Sequence, residues 1–241
     1  MEHIDDDQLA TNLRYRFDYV AKFIRWSNDD IAVLNSLEPI VSPLLPVVVD
    51  AVYKKLFQFD VTKRFFFKRN EGFEGNLPSS LNDLTLNSEQ IQFRKDMLSR
   101  YLTRVITTKV WDDSFLQYLS RVGKIHTNNG GSKSINVPYI HVNALLGYVE
   151  HILIDAVWGV ENVDNKTKKA AILSINKFFW IQNDLFTMHY IGSSSVSNAP
   201  KDDTAIPSNT SSFAFNHHLL MTFALVAAIA VVIGYYIGGQ K

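Results

Sequence analysis

The sequence predicts an all-α domain followed by one membrane-spanning helix. Apolar residues recur at steps of three and four over most of residues 1–190, and no segment shows the alternation with a period of two that indicates a strand. Short stretches rich in glycine, serine, asparagine and proline interrupt this pattern, as connecting loops do. Near the C-terminus, about 19 uncharged residues follow one another, which is long enough for a helix to cross a bilayer.

The composition fits one globular domain with additional segments. The chain has 241 residues, of which 46% are apolar and 20% are charged. It contains no cysteine, which excludes disulfides, thiolate metal ligands and iron–sulfur clusters. The 24 basic and 24 acidic residues cancel, so the sequence lacks the basic excess of a nucleic-acid-binding protein, and no nucleic-acid partner is expected.

Three helices are predicted before the first long loop. Helical spacing of apolar residues predicts the first, over about 11–25. Polar residues from Ser27 to Asp30 form a capping cluster for the second, which ends near residue 37. The third begins at Glu38 and continues to Leu56, but the prolines at 39, 43 and 46 should bend or displace its first turns. Residues 68–87 are rich in glycine, asparagine and serine and are predicted as a loop.

Four further helices complete the predicted domain. Ser88 starts the first of them, and its apolar line consists of Ile91, Leu98, Leu102 and Val105. The second covers about 111–125 and leads into a glycine-rich loop, and Pro138 opens an apolar third helix. The fourth covers about 165–190. We therefore expect a domain at 1–190, a disordered polar linker at 191–218 and a transmembrane helix at 219–237.

The segment from Leu219 to Ile237 is the predicted membrane anchor. It carries no charge, and Tyr235 and Tyr236 are placed to sit at the membrane interface. The sequence therefore predicts a single-pass, tail-anchored protein whose helical domain faces the cytosol. It does not choose between the endoplasmic reticulum and the mitochondrial outer membrane.

His126 is the strongest candidate for a cofactor ligand. It follows Phe115, Leu119 and Val122 at steps of four, three and four, which places it on the buried face of its helix, in the last turn. An imidazole in such a position can bind haem iron. The spacing alone favours an ordinary half-buried histidine over a ligand.

Four other side chains are candidates for lining a pocket. Tyr53 stands beside the apolar line of its helix, where a buried phenol could donate a hydrogen bond to a ligand. Phe93 and Met97 share one line of the following long helix, and such a line is usually core. His141 lies on the flank of the next apolar stripe, where it could line a pocket or serve only a local polar contact.

Several ordered stretches resemble one known family, the protoglobins and the globin domains of globin-coupled sensors. The resemblance covers about Arg14 to Tyr190. It is carried by VDAVYKKL at 49–56, LSRYL at 98–102, DDSF at 112–115, GKIH at 123–126, NVPY at 136–139 and NALL at 143–146. No single stretch is specific, but their order and spacing are.

The resemblance implies a globin fold of the sensor type, with an extra N-terminal helix, and haem b (iron protoporphyrin) as cofactor. His126 matches the proximal iron ligand and Tyr53 the distal hydrogen-bond donor. Met97 is the best match for a further distal position, with Phe93 as its rival. The loop after His126 is longer than in bacterial sensors, which leaves the placement of His141 against the haem open. The family often dimerises through the last two globin helices.

The expected function is a membrane-tethered haem globin that binds O₂, NO or CO for sensing or storage. One alternative is a haem redox enzyme, such as an NO dioxygenase or a peroxidase. It would need an external reductase, because the sequence has no flavin or nicotinamide motif. A haem-free helical adaptor is the other alternative. No catalytic residue is assigned.

Overall fold

The computed structural model describes residues 1–69 and 72–196, and every regular element in that part of the chain is helical. The helices are α1 (Asp6–Thr11), α2 (Leu13–Ile24), α3 (Asn28–Ser36), α4 (Glu38–Val41), α5 (Leu45–Leu56), α6 (Asp60–Lys63), α7 (Glu89–Thr107), α8 (Asp113–Ile125), α9 (Tyr139–Trp158) and α10 (Asn165–Val196). Short 3-10 turns cover Ser42–Leu44, Arg64–Phe66 and Asn128–Lys133. The linker after residue 196 and the predicted transmembrane helix lie outside the described residues.

Prolines divide the third predicted helix into α4, a 3-10 turn and α5. Each of these elements has a proline in its first turn: Pro39, Pro43 and Pro46. Proline has no backbone N–H and clashes with the preceding turn, so it is tolerated only where a helix begins. The sequence predicted one helix with bent or displaced first turns. The structure shows α4, a 3-10 turn and α5 in its place, each with a proline near its start.

The last helix is longer than the sequence predicted. α10 begins at the predicted Asn165 but continues to Val196, beyond the predicted end at Tyr190. No proline occurs in this stretch, and a single glycine costs a helix only about 1 kcal/mol relative to alanine. The backbone therefore keeps its helical hydrogen bonds through a segment whose composition indicated a linker.

Two described segments are long and apolar enough to cross a membrane on length and composition alone, 28–56 and 139–158. Both contribute to the core of the domain. The first is interrupted by the proline-containing turns between α3 and α5. The second is α9, which buries Val142, Val149, Leu153 and Val157. Core helices of globular proteins often have this composition, so these segments give no independent indication of a membrane.

An aromatic cluster fixes the N-terminal helices to the rest of the domain. The Trp111 ring centroid lies 4.7 Å from that of Trp26, 5.1 Å from Phe115, 6.1 Å from Phe17 and 6.2 Å from Phe178. Such pairs stabilise a core by about 0.5–1.5 kcal/mol each beyond their buried area. α2 and the turn after it are therefore integral to the domain.

Two ion pairs reinforce the same contact. Arg16 of α2 forms two hydrogen bonds with Asp184 of α10, at 2.7 and 2.6 Å. Asp30 of α3 is buried and accepts from Lys177 at 2.9 Å and from Ser174 at 2.8 Å, and both partners are on α10. The N-terminal helices are thus held against α10 by charge as well as by aromatic packing.

Gly123 lets α8 approach α10 closely, and this contact gives a stability prediction. A Cβ at Gly123 would lie 2.9 Å from the carbonyl oxygen of Leu185 and 3.1 Å from the Cα of Phe186. Because both atoms belong to backbone, Gly123→Ala should push the helices apart and lower the free energy of unfolding by about 1–3 kcal/mol. Urea denaturation monitored by circular dichroism measures the change.

Gly147 supplies the matched control. It lies inside α9, and no atom lies within 4 Å of the position where its Cβ would be. Gly147→Ala should therefore stabilise the protein by about 0.5–1 kcal/mol, because alanine has the higher helix propensity. Equal effects of the two substitutions would contradict the close approach at Gly123.

Candidate functional site

A cavity of about 530 Å³ is lined mainly by residues of α5, α7, α8, α9 and α10. This volume is within the range of about 300–1,000 Å³ that is typical of cofactor and small-molecule sites. Its wall is mainly aliphatic and aromatic. The polar side chains in the wall include Tyr53, Arg94, Tyr101, His126 and His141.

The structure brings most of the sequence-predicted site residues to this cavity. Tyr53, Met97, His126 and His141 all line it. Phe93 does not: its ring packs on Phe73, with 5.7 Å between the centroids. Of the two rival positions on α7, only Met97 therefore faces the cavity.

His126 caps the C-terminal end of α8, and its ring orientation is fixed by one hydrogen bond. The Nδ1 atom lies 2.7 Å from the carbonyl oxygen of Val122. Because a carbonyl can only accept, Nδ1 carries the proton and Nε2 keeps its lone pair. No described residue forms a hydrogen bond with Nε2. The ring also packs edge-on against Phe186, with 5.1 Å between the centroids.

The environment of His126 keeps its imidazole neutral. Burial lowers the pKa of His126 to about 4, the hydrogen bond to Val122 opposes this shift, and the positive charge of Arg94 adds to it. At neutral pH the ring is therefore uncharged, which is the form that can bind a metal ion. Because its imidazole is neutral, its tautomer is fixed and its Nε2 has no described partner, His126 could serve as a ligand to a metal ion.

The loop after His126 folds back on the end of α8. The amide of Val137 donates to the carbonyl of His126 at 2.8 Å, and the amide of Ile135 donates to that of Ile125 at 2.9 Å. Gly131 has φ 64° and ψ −138°, a conformation that side-chain-bearing residues rarely adopt. The glycine-rich sequence thus allows the reversal that closes this side of the cavity.

Tyr190 of α10 also contacts the end of α8. Its hydroxyl donates to the carbonyl of Val137 at 2.6 Å and lies 3.2 Å from the carbonyl oxygen of His126. The turn that carries His126 is therefore held by its own loop and by the last helix.

Tyr53 places a phenol in the wall from α5. Its side chain is buried, and no described residue forms a hydrogen bond with its hydroxyl. Burial raises the pKa of Tyr53, and the nearby charge of Arg94 opposes part of that rise. The hydroxyl therefore remains protonated and can donate. The hydroxyl of Tyr101 differs, because it already donates to Gln182 at 2.8 Å.

Arg94 is a cavity residue that the sequence did not single out. It is only 7% exposed, and its guanidinium lies 5.1 Å from the centre of the Phe66 ring. Its position was visible in the pattern, because it falls between Ile91 and Leu98 on the apolar line of α7. A charged residue on an otherwise apolar row was the signal.

The residues of the cavity fit a haem. The space is large and mainly apolar, as a flat hydrophobic cofactor needs, and His126 offers a neutral nitrogen to iron. Among the described residues there is no cluster of three or more histidine, cysteine, aspartate or glutamate side chains that could hold a bare metal ion. A single protein ligand suits a metal whose other ligands come from a porphyrin.

Comparison with known proteins also indicates a globin fold. A family model described as Protoglobin matches residues 13–195. The globin domain of a globin-coupled sensor from Geobacter sulfurreducens has a similar structure, with a TM-score of 0.56 and 17% sequence identity over 72% of this chain and 96% of that one. No curated protein matches the sequence. The predicted globin fold is confirmed, and the chain belongs to the protoglobin family, whose fold implies haem binding.

Proposed function

We propose that this protein is a haem b globin that binds a diatomic gas, O₂, CO or NO, for sensing or storage. The observation that carries the proposal is His126, whose free Nε2 belongs to a buried neutral imidazole in the wall of a cavity of about 530 Å³. The lack of cysteine supports a non-covalently held haem, because thioether attachment requires cysteine.

Different residues of the chain would have different roles in such a site. Nε2 of His126 would hold the iron, while the carbonyl of Val122 keeps the ring in one orientation. A haem held there would supply the iron that binds the diatomic ligand. The hydroxyl of Tyr53 would donate a hydrogen bond to that ligand, and the mainly apolar wall would limit the water around it.

Haem uptake by the full chain in detergent tests the proposal. We expect haemin to bind with one equivalent per chain, to give a Soret band, and to form a CO complex after reduction. Absence of uptake would sink the proposal and favour the haem-free adaptor.

Tyr53→Phe should weaken the retention of O₂. The hydroxyl of Tyr53 has no described protein partner, so it is free to donate to bound O₂. Its loss removes a hydrogen bond worth about 1–1.5 kcal/mol, and the O₂ dissociation rate should rise roughly tenfold. Stopped-flow displacement of O₂ by CO measures this rate. Tyr101→Phe is the matched control, because that hydroxyl is already used by Gln182. An unchanged rate in Tyr53→Phe, or an equal rise in both variants, would show that Tyr53 is not the donor.

We also propose that the uncharged segment 219–237 anchors the protein in a membrane with the globin domain in the cytosol. Its length and hydropathy support this, and so does the polar stretch before it. Deleting residues 213–241 should move the protein from the membrane fraction to the soluble fraction. Retention in the membrane fraction would refute the anchor. The choice between the endoplasmic reticulum and the mitochondrial outer membrane needs imaging.

A homodimer through α9 and α10 is a further part of the proposal. These helices expose Trp158 (56%), Leu173 (50%), Trp180 (59%) and Ile191 (66%). Exposed large apolar side chains on two helices that pack together support an interface. Sedimentation velocity of the chain lacking residues 213–241 distinguishes a dimer from a monomer.

A further inference from the structure

A basic and aromatic segment begins at the end of α5. Residues 54–69 contain six lysines and arginines against a single aspartate, although the whole chain has a formal net charge of zero. The same segment contains five phenylalanines. It is folded as the end of α5, the short helix α6 and the 3-10 turn that follows it. Positive charge and aromatic side chains are therefore concentrated on one ordered part of the domain.

Three large apolar side chains of this segment are exposed to solvent. Phe59 is 49% exposed, and Val61 and Phe67 are each 38% exposed. Because the backbone between them forms helical turns, which rise about 1.5–2 Å per residue, these residues lie within roughly 16 Å of one another. Exposed apolar side chains grouped this closely indicate a contact surface.

Two lysines of the segment lie against aromatic rings. The ammonium of Lys55 is 5.6 Å from the ring centre of Phe59 and 5.6 Å from that of Tyr148. The ammonium of Lys63 is 5.5 Å from the ring centre of Phe57. These contacts hold the charges beside the apolar side chains, an arrangement that is typical of residues at a membrane–water interface.

Arg64 adds a third cation, and its side chain is exposed. In the part of the chain that the structure describes, no carboxylate is paired with Arg64, Lys55 or Lys63, whereas the neighbouring Lys54 forms an ion pair with Asp50 at 2.8 Å. The charges of the three cations are therefore available to an anion outside the protein. The basic aromatic patch is the set of these three cations and the three exposed apolar side chains: Lys55, Phe59, Val61, Lys63, Arg64 and Phe67.

We propose that the basic aromatic patch docks the domain onto the surface of a membrane that contains anionic phospholipids. The lipid headgroups supply the negative charge that the three cations lack, and the layer beneath the headgroups accepts the apolar side chains. An acidic protein surface would match the charge, but it is polar where the exposed phenylalanines need apolar surroundings. The uncharged segment 219–237 also favours lipid, and to that extent the inference rests on the proposed membrane anchor.

The linker alone does not select the face of the domain that docks. Residues 197–218 can span at most roughly 75 Å, which exceeds the diameter of about 40 Å expected for a domain of this size. An anchor at 219–237 would therefore keep the domain near the bilayer without fixing which side meets it. The basic aromatic patch supplies that selection.

The same segment forms part of the cavity wall. Thr62, Phe65 and Phe66 line the cavity, whereas Val61 and Phe67 are exposed. Docking through the patch places lipid next to this part of the wall. An apolar ligand dissolved in the bilayer would then meet the protein beside its cavity.

A fluorescent label beside the patch tests the docking in the full chain. Because the chain contains no cysteine, Gln58→Cys can be labelled at one position with an environment-sensitive dye, and Gln58 is exposed. The labelled chain is incorporated into vesicles of phosphatidylcholine, with or without phosphatidylserine, and brominated lipid serves as the quencher. We expect strong quenching at position 58 in the anionic vesicles and much less in the neutral ones. Asp29→Cys places the label at an exposed position of α3 and should give little quenching in either.

Lys63→Gln combined with Arg64→Gln removes two charges of the patch. A basic residue near an anionic membrane surface contributes about fivefold to binding, so the ratio of docked to undocked domains should fall about 10- to 30-fold. Quenching at position 58 reports this ratio. Lys166→Gln combined with Lys169→Gln removes the same charge from exposed positions of α10 and should change the ratio by less than about threefold.

Equal quenching in neutral and anionic vesicles, or equal quenching at positions 58 and 29, would overturn the proposal. So would a Lys63→Gln, Arg64→Gln variant that docks as the wild type does. If the full chain does not associate with neutral vesicles, the proposed anchor fails separately. Sedimentation of the full chain with anionic vesicles then decides. Binding that the double substitution weakens supports the patch, and no binding refutes it and leaves an acidic protein surface as its partner.

Discussion

Replacing His126 with glycine should remove the haem from the protein, and free imidazole should restore it. The change deletes the side chain that offers iron a neutral Nε2. Loss of an outer-shell partner typically costs a metal site about 10- to 100-fold in affinity, and loss of the ligand itself should cost more. Spectrophotometric titration with haemin measures the affinity.

Imidazole rescue separates ligation from structure. His126 is the C-cap of α8, so glycine is tolerated by the backbone there. The space left by the ring should admit imidazole, which would restore the Soret band at millimolar concentration. The same substitution at His151, which is exposed on α9, should leave haem affinity unchanged. A variant that binds haem as the wild type does without imidazole would show that His126 is not the ligand.

The largest effect on stability should come from Asp30→Ala. The carboxylate is buried, and it accepts from Lys177, from Ser174 and from the backbone amide of Ser27, in a capping box that starts α3. Its loss leaves the buried hydroxyl of Ser174 without its acceptor, and the half-buried ammonium of Lys177 keeps only the carbonyl of Arg25. Breaking a buried pair costs about 3–5 kcal/mol, and the partial exposure of Lys177 reduces this to about 2–4 kcal/mol. Urea denaturation provides the measurement.

Asp29 gives a matched control in the same turn. It is exposed, so Asp29→Ala should cost less than about 1 kcal/mol. The double variant Asp30→Ala with Lys177→Met should recover part of the loss, because it also removes the unpaired charge. If Asp29→Ala and Asp30→Ala destabilise equally, the buried network does not hold α3 on α10.

Local signals predicted much of the fold. The capping cluster at Ser27 starts α3, and Pro138 precedes α9. The periodicity that placed His126 on the buried face of α8 also placed it in the cavity wall. These features depend on residues close together in the chain, and their physical causes are visible in the sequence.

Non-local features could not be predicted in the same way. The apolar line of α7 places Arg94 on a buried face, but it does not show that residues of α5 and α9 complete a cavity around that position. Tyr101 is a second example, because its hydroxyl donates to Gln182, which lies 81 positions later in the chain. The choice between Phe93 and Met97 depended on the rotation of α7 about its axis, which tertiary packing determines.

Tyr190 has a mechanical consequence. Its hydroxyl joins α10 to the carbonyls of Val137 and His126, and α10 then continues to Val196. A twist or axial pull on the chain beyond Tyr190 is therefore transmitted to the turn that bears the imidazole. Conversely, a tilt of the His126 ring should shift the C-terminal part of α10 through the same hydroxyl. The end of α10 and the turn that bears His126 should therefore move together.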